Sequence, residues 1–220
     1  MATKGYKGIG MEGFIARSYD ENARRYSADQ YKEWAEQIAR RIRNGDTVLE
    51  IAPGPGYLSI ELAKLRRCTI IGLDISATFV SLAQKNAKNA GAEVDFRKGN
   101  VSSIPFENAM FDFIMCTSAF KNFKEPVAAL NEMNRVLKPN GRAWIVDMKH
   151  NLSNGTINDY VENKMKIKST AAFYMKFMFK YFLQHRAYTK EQFKEFIAKT
   201  NFRRSDIQES LIGFELMLEK

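Results

Sequence analysis

A carboxylate, Glu50, closes the apolar run "TVLEIA" and is followed at once by the turn Pro53-Gly54-Pro55-Gly56. A second carboxylate, Asp74, closes the next apolar run 24 residues further on. Glycine turns between a strand and a helix commonly hold phosphates on free backbone N–H groups. Here Pro53 and Pro55 have no N–H to give, and Glu50 would repel an incoming phosphate. The dinucleotide pattern G-x-G-x-x-G fails as well, because its third position is Ser59. Gly54 and Gly56 still let a ligand approach the backbone closely. An acid ending the second strand is suited to gripping a ribose through its hydroxyls. Together these residues describe a nucleoside that has no phosphate and carries positive charge.

Further groups with chemical potential follow the later apolar runs. Asn100 comes after the third, Thr117 and Ser118 after the fourth, and His150 after the fifth, with Phe120 and Lys121 just beyond Ser118. His150 and His185 are the two histidines of the chain. His150 is the better placed to act as a general base, with Lys121 as a second reacting group. A soft or anionic acceptor would need alignment alone.

Elements must carry these residues to one place. Apolar strands are expected over Thr47–Ala52, Cys68–Leu73, Glu93–Lys98, Phe111–Cys116 and Arg142–Asp147. Helices are expected over Tyr57–Leu65, Ala77–Asn89 (N-capped by Ser76) and Pro126–Leu137, the last stopped by "KPNG". Strands alternating with helices predict a doubly wound, mostly parallel α/β sheet with ligands at the carboxyl ends of its strands. The tail "SDIQESLIGFELMLEK" reads as a closing hairpin, which brings the sheet to seven strands. We expect a Rossmann-like single domain: an N-terminal helical lid (1–44, opening on a mobile tail over 1–10), a cofactor-binding core (45–149), a helical cap insertion (150–188), and a closing helix and strands (189–220).

The chain resembles the class I S-adenosylmethionine-dependent methyltransferases of the small-molecule, ubiquinone/menaquinone-methylase-like type. The resemblance rests on "EIAPGPG", "GLDIS", "RKGNVSSIPFENAMFDFIMC" and "EMNRVLKPNGRAWIVD". It implies S-adenosylmethionine as cofactor, with S-adenosylhomocysteine as product. It also implies Asp74 on the ribose, Ile75 against the adenine, Asn100 (where the family usually has Asp) on the adenine amino group, and a Val101 N–H to the ring. Thr117 joins this set. "ARSYDENARRY" resembles a lid helix in which Tyr19 closes over the cofactor. Ala52 replaces the family's first glycine, and an alanine there is expected to take ordinary backbone angles. A histidine common after the family's fourth strand is absent, and Lys121 stands near its place.

Two broader classes stay open beside a methyltransferase that acts on an O, N or S nucleophile of a small molecule in an aromatic-lined pocket. One is a nucleic-acid methyltransferase, motivated by a net charge of +9. Against it, no N-P-P-Y-type motif follows the fourth strand and no proline precedes Cys116. The other is a non-methylating S-adenosylmethionine-binding relative. Cys68 and Cys116 read as small buried hydrophobes within strands. No metal site is expected. The N-terminus lacks the apolar core of a secretory signal, and no apolar run is long enough to span a bilayer, so a cytoplasmic protein is expected. From Lys149 to Lys199 ten Lys and Arg stand against four Asp and Glu. Within this basic region "TAAFYMKFMFKYFL" admits four readings: a lid helix lining the acceptor pocket, a helix touching a membrane surface over 170–185, a dimer contact of a chain that is otherwise a monomer, or a helix buried against the sheet.

Overall fold

The computed structural model describes residues 5–7 and 11–220. Seven strands form one sheet in the order β3-β2-β1-β4-β5-β7-β6. They are β1 (Thr47–Ile51), β2 (Thr69–Asp74), β3 (Asp95–Lys98), β4 (Phe111–Thr117), β5 (Leu137–Met148), β6 (Arg204–Glu209) and β7 (Gly213–Glu219). β1 to β5 pair in parallel, while β7 pairs antiparallel with both β5 and β6. The expected mostly parallel sheet with an antiparallel closing hairpin is therefore what the chain forms, and its order reverses between β1 and β4.

Side chains alternate along each strand, so both faces of the sheet carry apolar residues. On one face Val48, Ile70, Phe113 and Trp144 pack against α2 (Ala28–Ala39) and α3 (Tyr57–Leu65). On the other, Leu49, Ile51, Ile71 and Ile114 pack against α5 (Pro126–Val136) and α9 (Lys190–Ala198). A further helix, α4 (Ala77–Ala90), closes over Phe96 of β3. Local chemistry sets its ends: the Ser76 hydroxyl accepts from the Phe79 N–H, and Gly91 takes a left-handed turn at its C-terminus. α9 opens on a reciprocal capping box between Thr189 and Gln192.

The N-terminal helix α1 (Gly13–Tyr26) lies against α4 and α2. It is fastened there by Glu12, whose carboxylate accepts from the Ala77 and Thr78 N–H groups at the start of α4. The expected tail over 1–10 falls largely outside the described residues. Its described part is not loose: Tyr6 bridges to Phe123, and the Lys7 N–H donates to the Asn122 carbonyl at 2.8 Å. After β5 come α6 (Asn154–Asp159), a π-turn (Tyr160–Lys164), α7 (Ser169–Met178), a second π-turn (Phe179–Leu183) and α8 (Gln184–Arg186). These form a cap with its own apolar cluster, built around Met148, Leu152, Ile157, Val161 and Phe179.

The starts of β5, β3 and β2 depart from the sequence reading. β5 begins at Leu137 rather than Arg142, because "KPNG" is a kink inside the strand, with Asn140 at φ 64° and a register shift against β4. β3 begins at Asp95, two residues late, and Cys68 lies just ahead of β2. Cys68 and Cys116 are both free thiols. Among the described residues no helix is long and apolar enough to cross a membrane.

Candidate functional site

The carboxyl ends of β1, β2, β4 and β5 bring most of the candidates to one edge of the sheet. Glu50 belongs to the β1 face that packs on α3, and it is 2% exposed. Ser59, on the first turns of α3, donates its hydroxyl to Glu50 Oε2 at 2.5 Å. Burial raises the Glu50 carboxyl from 4.5 to about 7, against the pull of the Ser59 hydrogen bonds. Asp74 is also buried and accepts from the Gly54 N–H at 3.0 Å and the Ser76 N–H at 2.8 Å. Burial raises it from 3.8 to about 6, again against its backbone donors. Among the described residues, no lysine, arginine or histidine forms an ion pair with either acid.

The turn between them is held in a left-handed course. Gly54 has φ 55° and Gly56 φ 82°. A side chain at Gly56 would run into Phe96 and Ala83, at 2.6 and 2.9 Å from its Cβ. At Gly54 the space is open, and the nearest atom to a Cβ would be Tyr19 Cε1 at 3.9 Å. Ala52 corrects the expectation of ordinary angles. It sits at φ 54°, because its N–H donates to the Leu73 carbonyl at 2.8 Å and ties the turn to the end of β2. An alanine there bears strain that a glycine would not.

Tyr19, on α1, reaches over this turn and stacks edge-on against Phe79 at 5.6 Å. The residue is 39% exposed, and desolvation of its hydroxyl by the surrounding protein raises its pKa against the pull of a hydrogen bond with Tyr31. The neighbouring Tyr57 donates to Asp20 Oδ1 at 2.7 Å, linking α3 to α1. Ile75 is half-buried just past Asp74, and Val101 is buried beyond β3. Asn100 accepts from the Ser102 N–H at 3.0 Å and packs against Gly5.

Beyond β4, Thr117 ends the strand half-buried and Ser118 turns the chain at φ 56°. Lys121 is only 6% exposed. Its Nζ lies 3.0 Å from Asp147 Oδ1 and also donates to the Ser118 carbonyl. Asp147 further accepts from the Lys121 and Met148 N–H groups, each at 2.7 Å. This lysine is locked into the framework that joins the ends of β4 and β5. His150, half-buried past β5, faces His185 of the cap with ring centroids 6.2 Å apart.

Sequence reasoning missed Ser59 as the partner of Glu50, reading it only as a missing glycine. It also missed Asp147, although an acid ends β5 just as acids end β1 and β2. Glu12 gave no pattern, since its role depends on docking 65 residues away in sequence. Among the described residues no group of three or more His, Cys, Asp or Glu is placed to hold a metal.

Comparison with known proteins adds to this geometry. Residues 49–145 match the family model described as Methyltransferase domain. The chain is 29% identical over 133 residues to the demethylmenaquinone methyltransferase of Staphylococcus carnosus, covering 59% of this chain and 55% of that one. It is 28% identical over 136 residues to the ubiquinone/menaquinone biosynthesis C-methyltransferase UbiE of Bdellovibrio bacteriovorus, covering 60% and 58%. The chain thus spans little more than half the length of the curated relatives it matches. In fold it is similar to a candidate S-adenosyl-L-methionine-dependent methyltransferase from Methanococcus maripaludis, with a TM-score of 0.77, 24% identity, and coverage of 97% and 95%.

Proposed function

We propose that this chain carries a class I S-adenosylmethionine-dependent methyltransferase domain, a reading supported by the family match over residues 49–145 and by the fold. The proposed activity is methyl transfer to a ring carbon of a small hydroxylated aromatic of the quinol class. The observation that carries the cofactor reading is the pair of buried acids, Glu50 and Asp74, flanking the glycine turn without ion-pair partners among the described residues. Such a pair fits a ligand that brings ribose hydroxyls and positive charge, and it repels a phosphate. Carbon as the acceptor atom follows the name of the Bdellovibrio relative, and departs from the O, N or S acceptors expected from sequence.

Asp74 would hold the ribose with the lone pairs not taken by Gly54 and Ser76. Glu50 would ionise to balance the ligand's charge. Ala52, Gly54 and Gly56 would give close backbone approach. Ile75 and Val101 would flank the adenine, with Asn100 on its amino edge. Tyr19 would close over the site from α1, and Thr117 would complete its wall. When bound, S-adenosylmethionine supplies the electrophilic methyl group.

His150 would take the hydroxyl proton of the acceptor. The electron density released would then reach the adjacent ring carbon, which would bond to the methyl group as the methyl–sulfur bond breaks and its electron pair stays on the sulfur of departing S-adenosylhomocysteine; loss of that carbon's own proton to water would restore the ring. Lys121, tied to Asp147, would position the β4 and β5 ends rather than move a proton. The test is calorimetry with S-adenosylhomocysteine, joined to transfer of labelled methyl to a demethylated naphthoquinol. His150→Ala should lower kcat by roughly 10²–10⁴-fold and leave S-adenosylhomocysteine affinity unchanged. A chain that binds no S-adenosylhomocysteine would end this reading.

A further inference from the structure

We infer that the cap docks on the surface of an anionic lipid bilayer through the outer face of α7 and the π-turn that follows it. The proposal does not depend on the acceptor assigned above. The helix already has its buried face: Ala172 and Phe179 pack into the cap cluster, and Tyr160 stacks on Phe179 at 5.6 Å. Its other face is aromatic and open. Phe173 is 76% exposed, Tyr174 60%, Phe177 43%, Tyr181 52% and Phe182 49%. At least three of these rings are continuous, with Phe177 centred 4.9 Å from Tyr181 and 5.8 Å from Phe182. The π-turn over Phe179–Leu183 puts an extra residue in the turn, so that Phe182 as well as Tyr181 meets Phe177. Folding the cap does not require five exposed rings on one helix, and an exposed apolar patch of this kind marks an interaction face.

Charge selects the partner. Residues 150–188 hold six Lys and Arg against two Asp and Glu, a net of +4. Lys164, Lys166 and Lys168 are exposed just ahead of the helix. Within it, Lys176 pairs with Glu162 at 2.5 Å and Lys180 lies over the Tyr181 ring at 5.3 Å. Phe and Tyr rings with lysines close by are the composition of a helix lying in a bilayer interface, rings at the acyl boundary and ammonium groups among headgroups. A second copy of this chain would set one +4 cap against another, and core positions of protein interfaces are poor in lysine. With about 1.5 Å of rise per residue the helical stretch is long enough to lie along a membrane, and no helix among the described residues is long and apolar enough to cross one.

The test is co-sedimentation of the full chain with phosphatidylcholine vesicles, with and without about one-third phosphatidylglycerol, at roughly 0.1 M salt. Binding is expected on the anionic vesicles, weakening at least tenfold in neutral ones. The triple variant Phe173→Ser, Tyr174→Ser, Phe177→Ser should lose at least tenfold in affinity for anionic vesicles while keeping the wild-type thermal unfolding midpoint and S-adenosylhomocysteine affinity. Lys164→Ser with Lys166→Ser and Lys168→Ser should erase the preference for anionic lipid. No sedimentation with anionic vesicles, or equal sedimentation of the aromatic triple variant, overturns the proposal. So does a concentration-dependent dimer in analytical ultracentrifugation that the aromatic variant abolishes, which would assign the face to a second copy.

Discussion

Glu50→Gln isolates the electrostatics of the site in one substitution. The glutamine keeps the shape and still accepts from the Ser59 hydroxyl, but it cannot ionise. Glu50 titrates near 4.5 when unfolded and near 7 in the folded chain. The folded state therefore holds this proton more tightly than the unfolded state. Its contribution to stability is fully present below about pH 4.5 and is lost as pH rises through 7. The loss comes to about 3 kcal/mol at pH 8, with little discount for solvent because the side chain is buried. In a chain of this size that corresponds to roughly 6–12 °C in Tm. Thermal unfolding of the two proteins from pH 4.5 to 8.5 measures it as a difference, so that every other titrating group cancels. The curves should meet at the acid end and diverge steadily, with Glu50→Gln the more stable at pH 8. Parallel curves, or a variant less stable at pH 8, would refute the argument that burial sets this group. If Glu50 is also the counter-ion of a cationic ligand, S-adenosylmethionine binding at pH 6 releases a proton from the wild type and fewer from Glu50→Gln. Calorimetry in buffers of different ionisation heat reads this directly.

Asp74→Asn should weaken S-adenosylhomocysteine binding by about 1.5–3 kcal/mol, the value of a charge-assisted hydrogen bond, and unchanged affinity in calorimetry would remove Asp74 from the site. Ala52→Gly should raise stability by about 1 kcal/mol, because relief of the left-handed alanine exceeds the added chain entropy of glycine, and denaturant unfolding checks it. Lys121→Met should destabilise by about 3 kcal/mol through the buried charge left on Asp147, and Asp147→Asn in the same chain should restore part of that loss.

How much of this was legible in the sequence depended on whether the cause was local. β1 and β2 read correctly because their residues are apolar toward both faces, and Ser76 read correctly as a cap because a cap acts within three residues. The angle at Ala52 did not, since it is imposed by a hydrogen bond to Leu73 on the neighbouring strand. The start of β5 was lost for a similar reason. "KPNG" has every mark of a stop signal, yet Leu137 pairs with Phe111 ahead of it and Arg142 with Phe113 beyond it, so the ladder runs through the kink. The aromatic stretch of the cap showed its helical character but not which face was covered, because six rings and two lysines leave no polar stripe to read.

Lys121, expected as a reacting group because it stands near the place of the family's histidine, instead serves one of three acids at strand ends. Glu50, Asp74 and Asp147 end β1, β2 and β5, and all three are buried. A cationic ligand arriving at this edge could in principle be held by any of them. Asp147 is already neutralised by Lys121 at 3.0 Å and filled by two backbone donors, so it has little to offer. Glu50 has one hydroxyl donor and a raised carboxyl, and Asp74 has two backbone donors and a raised carboxyl. The lysine thus removes one acid from competition and leaves the two that flank the glycine turn. On this argument Lys121→Met does more than destabilise: it frees a third carboxylate on the β5 side of the site. If binding follows charge alone, S-adenosylmethionine affinity should be kept or gain slightly in Lys121→Met at pH 8, measured well below its unfolding midpoint. A large loss there would mean that the alignment of the β4 and β5 ends, and not the balance of charge, decides how the ligand is held.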